Sequence, residues 1–199
     1  MGEYFKPWRR RIGVVTLLMA GHETVANSLA WALLLLARHP EAQARVSAEG
    51  QALLEQRGAL SLAKVKEQLG YTRQVVDETL RLYPPLWILQ RRATTDCELG
   101  GVKVERDRVV LVSPYVTQRR RDVFEQPERF DPERFAPTQG GEPQRQGYLP
   151  FGAGPRACIG RGLALLSSLC CWRRSAPGSR WRPRRPAPST TSPRRPSSP

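Results

Sequence analysis

The sequence predicts a mainly α fold with small β-sheets. An apolar helical run extends from about Ile12 to Ala37. A second helical segment carries Asp77 to Leu82 and must stop by Pro84 and Pro85, because proline lacks the N–H that continues a helix and restricts the residue before it. Leu99 to Val112 reads as a strand, a turn and a second strand.

Residues 1–11 have no assigned role. Arg9, Arg10 and Arg11 before the apolar stretch Ile12 to Ala20 imitate a secretory signal, but His22, Glu23 and an amphipathic continuation favour one long helix. Leu29 to Ala37 is apolar but shorter than the ~18 residues a bilayer span needs, so no membrane span is expected. Gly21 lies inside this helix, where glycine costs about 1 kcal/mol relative to alanine. Its placement suggests a close backbone approach or a local opening beside Glu23 and Thr24. On its own the segment reads more readily as a glycine-kinked core helix with an exposed Glu-Thr pair.

In the next helix Glu78 and Arg81 are three residues apart and share a face. In isolation that spacing describes a surface ion pair, worth under about 1 kcal/mol. Gln90 to Ala93 follows as a short extended stretch, and Arg91 within it is otherwise a solvated basic strand residue. Further on, Phe130 to Phe135 reads Phe-Asp-Pro-Glu-Arg-Phe and contains Arg134.

The most informative segment is Phe151 to Gly160, Phe-x-x-Gly-x-Arg-x-Cys-x-Gly. Gly152, Gly154 and Gly160 permit a tight bend that brings amide N–H groups toward Cys158. A helix starting near Gly160 adds the positive end of its dipole, and Arg156 adds a fixed charge. All three favour an anionic sulfur, the form that binds metal. A lone cysteine is ordinarily a small buried hydrophobe, and this loop argues otherwise.

Taken in order, Gly21-x-Glu23-Thr24, Glu78-x-x-Arg81, Pro132-Glu133-Arg134-Phe135 and the Cys158 loop resemble the cytochrome P-450 family, the haem-thiolate monooxygenases. The resemblance implies the cytochrome P-450 fold, covered from about Ile12 to Leu166 and limited to its C-terminal half. It implies haem as cofactor, Cys158 as axial iron ligand, Arg156 and Arg91 facing haem propionates, and Phe151 beside the sulfur. Gly152, Gly154 and Gly160 would shape the same loop. Glu23 and Thr24 would belong to a proton relay on the opposite face, and Glu78, Arg81 and Arg134 would form a buried network. Around Gln118 to Arg121 the sequence departs from the family, with Gln118 where histidine is common and Arg121 where proline is common. His22 takes no ligand role.

The implied reaction activates dioxygen and inserts one oxygen atom into a small organic substrate. Electrons would come from a ferredoxin or a flavoprotein reductase, ultimately from NAD(P)H. Two other readings remain open: an inactive remnant of such an enzyme, and a basic protein that acts through its tail.

The length of 199 residues allows one sizeable domain but only about half of the family's. The expected division is 1–11 unassigned, 12–169 the haem-thiolate half-domain, and 170–199 a tail. The tail holds eight arginines and no acid, and so supplies more than half of the net charge of +14. Its Arg/Pro/Ser composition cannot bury enough apolar surface to offset ordering entropy, so disorder is expected. One hypothesis is that the reading frame is lost near Leu165 to Cys170; the rival is a genuine basic tail for nucleic acid or anionic membrane. Specific nucleic-acid binding is not expected. The four cysteines and two histidines contain no Cys-x-x-Cys pair, which argues against zinc and against a disulfide framework. A reduced, cytoplasmic setting is the default.

Overall fold

A computed structural model describes residues 7–55, 65, 67–137 and 147–175. Helix α1 runs Pro7–Arg38, α2 Pro40–Glu55 and α3 Gly70–Leu82. Four short strands follow: β1 Leu89–Arg92, β2 Cys97–Leu99, β3 Val102–Val104 and β4 Val109–Val112. A one-turn helix α4 (Pro114–Thr117), 3-10 turns at Pro132–Phe135 and Gly154–Arg156, and helix α5 (Arg161–Ser175) complete the order. The mainly helical class with small sheets is as the sequence predicts.

Pro40 opens α2 at the position where a missing N–H does no harm, which breaks the chain from α1. The His39 ring bonds the Leu35 carbonyl at 2.7 Å and packs on Phe130, so this histidine is a structural pin at the joint. Helix α3 is the centre of the assembly, packed by α1, α2, α5 and the Pro132–Phe135 turn. Its Tyr71, Val75, Val76 and Leu80 meet Leu35 and Leu36 of α1, Val46 of α2 and Leu165 of α5 in one core. Leu53, Val65, Leu69 and Leu169 form a satellite cluster.

The N-terminus of α3 is satisfied from elsewhere in the chain. Leu69, at its N-cap, offers no side-chain cap. Glu49 of α2 instead accepts from the Tyr71 and Thr72 backbone N–H groups at 2.7 and 2.8 Å, and from the Thr72 hydroxyl at 2.6 Å. A carboxylate at this end also complements the helix dipole.

The strands form two separate antiparallel pairs, β1–β4 and β2–β3. Gly100 and Gly101 close the β2–β3 hairpin with φ of 57° and 83°, the left-handed geometry of a two-residue turn. The strand, turn and second strand expected over Leu99 to Val112 are present as β3, a turn at 106–107 and β4, but the two strands belong to different pairs. Val109–Val112 pairs with β1, in register Leu89↔Val112 to Arg92↔Val109, because Ala93 and Asp107–Arg108 continue that ladder with bonds of 2.8 and 2.9 Å.

Both ends differ from the expected boundaries. Helix α1 begins at Pro7, inside the segment left unassigned, and α5 continues to Ser175, past the expected start of the tail. The disorder and frame-loss expectations for the remaining tail, 176–199, lie outside the described residues. Among the described residues no helix is long and apolar enough to cross a membrane. The N-terminal half of α1 is nonetheless apolar and uncovered, with Ile12, Val14, Val15, Leu17, Leu18 and Met19 57–69% exposed.

Candidate functional site

The cysteine loop is built by two left-handed glycines and three backbone bonds. Gly152 and Gly154 have φ of 68° and 71°, a region that side-chain-bearing residues rarely adopt. The Gly152 N–H donates to the Leu149 carbonyl at 3.1 Å, Ala157 to Gly154 at 3.0 Å, and Cys158 to Phe151 at 2.9 Å. The last bond closes the loop and presents Cys158 three residues before α5. A Cβ at Gly160 would lie 3.8 Å from the Cys158 sulfur, and one at Gly152 3.7 Å from Leu89 of β1. The loop is thus seated between the start of α5 and the β1 strand.

Cys158 is exposed, as are Cys97, Cys170 and Cys171, and none of the four is in a disulfide. Ile159 and Leu163 beside it are 90% and 71% exposed, leaving the thiol on an apolar rim. Phe151 is half-buried and packs against the main core, with the Arg161 guanidinium 5.8 Å from its ring centre. Arg156 is exposed on its 3-10 turn. Arg91 is exposed on β1 and donates to the neighbouring Gln90 carbonyl at 2.8 Å.

The Glu78–Arg81 pair lies in α3. Both side chains are 0% exposed, so this is not the surface pair that the spacing alone describes. Arg81 Nε donates to Glu78 Oε2 at 2.6 Å, and Nη2 to Oε1 at 2.9 Å, a two-pronged fork. The remaining guanidinium N–H groups reach the Gln118 carbonyl at 2.9 Å and the Arg129 carbonyl at 3.2 Å. Glu78 Oε1 also accepts from the Asp131 N–H at 2.9 Å, with Arg134 Nε 3.5 Å away. Arg134 therefore joins this network, as its place in Pro-Glu-Arg-Phe implied, and donates through Nη2 to the Gln126 carbonyl at 3.0 Å. Burial pushes the Glu78 carboxyl above its usual range, against the opposing pull of Arg81, the Asp131 N–H and Arg134.

The Glu23–Thr24 pair is less engaged. Helix α1 runs unbroken through Gly21, and a Cβ there would meet nothing within 4 Å among the described residues. The expected backbone approach or opening is not what this structure shows. The Thr24 hydroxyl donates back to the Ala20 carbonyl at 2.7 Å, which keeps the turn bonded. Among the described residues no hydrogen bond or ion pair joins Glu23 or Thr24 to Cys158, although α1 and α5 pack on each other.

Two residues escaped the sequence reading. Gln118 is fully buried and makes polar contacts to both ends of this region. Tyr148 donates to Asp77 Oδ1 at 2.9 Å, lies 3.1 Å from the Asp77 carbonyl, and packs on Phe135. Burial first, and the Asp77 carboxylate second, push the Tyr148 phenol well above its ordinary value. Neither carries a local motif; only the departure at Gln118 marked its position.

Among the described residues no three His, Cys, Asp or Glu side chains converge on a possible metal position. An exposed thiol on an apolar rim, over a glycine-bent loop, would suit a largely apolar prosthetic group that carries its own metal.

A sequence profile described as Cytochrome P450 matches residues 10–171. The chain is 44% identical over 179 residues to cyclooctatin synthase of Streptomyces melanosporofaciens, covering 86% of this chain and 39% of that protein. It is 36% identical to pentalenene oxygenase of Streptomyces avermitilis, covering 80% and 37%. Identity to thromboxane-A synthase of Rattus norvegicus is 40%, covering 75% and 28%. The chain thus spans under two fifths of the length of these relatives. With the profile matched over most of its length and the cysteine loop, the buried Glu78–Arg81 fork and Arg134 in place, this chain belongs to the cytochrome P450 family.

Proposed function

We propose that the chain forms the thiolate-ligating part of a haem monooxygenase, with Cys158 as the one protein ligand to iron. The observation that carries this reading is the exposed Cys158 thiol, set by a loop with two left-handed glycines directly ahead of α5. Haem, when bound, supplies the redox chemistry that activates dioxygen and places one oxygen atom in an organic substrate. The other oxygen atom leaves as water, with two electrons from a ferredoxin or flavoprotein reductase, ultimately NAD(P)H, and two protons.

The chain's own residues bind and orient. Arg91 and Arg156 are exposed cations outside any ion pair among the described residues, which suits them to fork onto carboxylates of the prosthetic group. Thr24 keeps its hydroxyl proton on the Ala20 carbonyl and leaves its oxygen able to accept from water. The Glu23 carboxylate, exposed one residue away, can exchange protons with that water. Glu78, Arg81 and Arg134 hold α3 and the Pro132–Phe135 turn together and touch no reactant. The small organic substrate we propose is in keeping with the names of relatives called pentalenene oxygenase and cyclooctat-9-en-7-ol 5-monooxygenase.

A second reading, inherited motifs without turnover, is favoured by the uncovered apolar run on α1. The deciding experiment adds haem to the purified chain, reduces it and records the carbon monoxide difference spectrum. A strongly red-shifted Soret band that disappears in Cys158→Ala supports the thiolate reading. The same band in Cys158→Ala, or no band in the parent chain, defeats it. A band without product from any substrate leaves the second reading in possession.

A further inference from the structure

Gln118 follows α4 and joins two distant segments, one 37 and 38 residues before it and one 31 residues after it in the chain. Its Nε2 donates to the Leu80 carbonyl at 3.1 Å and the Arg81 carbonyl at 2.9 Å, both in the last turn of α3. Its Oε1 accepts from the Leu149 N–H at 2.9 Å. The amide orientation follows from chemistry, since the carbonyls can only accept and the N–H can only donate. The backbone of Gln118 is fixed as well, its N–H on the Pro114 carbonyl and its carbonyl on Arg81 Nη1, both at 2.9 Å.

Leu149 is the root of the cysteine loop. Its carbonyl accepts from Gly152, and Phe151, two residues on, accepts from Cys158. A continuous polar path therefore leads from the end of α3, through the Gln118 amide, to the backbone that carries the sulfur. Val123 and Phe124 crowd the same root, where a Cβ at Gly147 would come within 2.5 and 3.4 Å of them. We propose that Gln118 is a positioning residue that sets the register of the cysteine loop against the end of α3. Its consequence for cofactor ligation rests on the reading of Cys158 above; the geometric claim does not.

The test compares the full chain with Gln118→Met and Gln118→Glu, first without haem, by residue-resolved amide hydrogen exchange. Gln118→Met removes both ends of the bridge, whereas Gln118→Glu retains an acceptor for Leu149. In Gln118→Met, Leu149 and Cys158 should exchange about tenfold faster relative to Val75 and Val76 of α3, the effect of losing one buried bond. In Gln118→Glu, Leu149 should stay within about threefold of the parent by the same scale. With haem and carbon monoxide added, the red-shifted band should weaken in Gln118→Met more than in Gln118→Glu. Equal acceleration of loop and α3 amides in both variants overturns the proposal, because Gln118 would then only stabilise the whole fold. If Gln118→Met does not fold, slow Leu149 exchange in Gln118→Glu supports the proposal and fast exchange defeats it. Failure of both to fold also defeats it. A parent chain that takes up no haem defeats the Cys158 reading, while the exchange data still decide the bridge.

Discussion

Removing either half of the Glu78–Arg81 pair should be severely destabilising, and the two halves should not cost the same. Both side chains are fully buried, and Arg81 makes four hydrogen bonds to Glu78 and two carbonyls. Deleting one partner of such a pair leaves an uncompensated buried charge, a loss of about 3–5 kcal/mol. In Arg81→Met the stranded carboxylate keeps the Asp131 N–H and has Arg134 only 3.5 Å away. Among the described residues Arg134 Nε has no hydrogen-bond partner and can close that gap, so the loss should sit near the low end, about 3 kcal/mol. In Glu78→Met two arginines face each other with no carboxylate between them, and the loss should approach about 5 kcal/mol. Domains of this size are stable by only about 5–15 kcal/mol, so Glu78→Met removes much of the margin. Urea titration followed by far-ultraviolet circular dichroism measures both, and haem uptake should fail in each. A variant within about 1 kcal/mol of the parent, the range of exposed pairs, would refute the burial argument. Arg81→Met proving the worse variant would refute the role given to Arg134.

Tyr148 should make the chain sensitive to alkali. Its phenol is raised well above 10.0 in the folded state, so the unfolded chain ionises first. The stabilisation is complete below pH ~10 and declines by about 1.4 kcal/mol per pH unit above it. Tyr148→Phe should lose that part of the slope in urea titrations from pH 9 to 11, and an unchanged slope would count against it. Gly147→Ala would set its Cβ 2.5 Å from Val123 Cγ1, on a buried part of the chain. Thermal unfolding should show a loss of about 1–3 kcal/mol, as for overpacked sites generally, and a neutral result would mean that Val123 yields without cost.

What the sequence revealed was short-range. The Cys158 loop and the Glu78–Arg81 spacing are legible because their geometry is set within ten residues, by glycine φ angles and one helical turn. Burial of the pair was legible only from the order of motifs, since i,i+3 charges look the same on a surface. The contacts that escaped notice join distant segments: Gln118 to Leu149, Tyr148 to Asp77, Glu49 to Thr72. No local pattern encodes such pairings, because each depends on how helices and turns dock. The β4 strand illustrates the same point. Its apolar run announced a strand, but the choice of β1 over β3 as partner was decided by bonds at Ala93 and Asp107.

The Glu49 contact has a consequence for how the chain folds. A helix of 13 residues is marginal in water by itself, because its first turn must be fixed before propagation rewards it. Helix α3 has no cap of its own at Leu69 and borrows one from α2, 22 residues back from Tyr71. Its nucleation is thereby tied to closure of the α2–α3 connection. The helix that bears Glu78 and Arg81 should form with α2 or not at all. Mutations at Glu49, far from Cys158 in sequence, would therefore slow folding more than they speed unfolding, the signature of a residue in the folding nucleus.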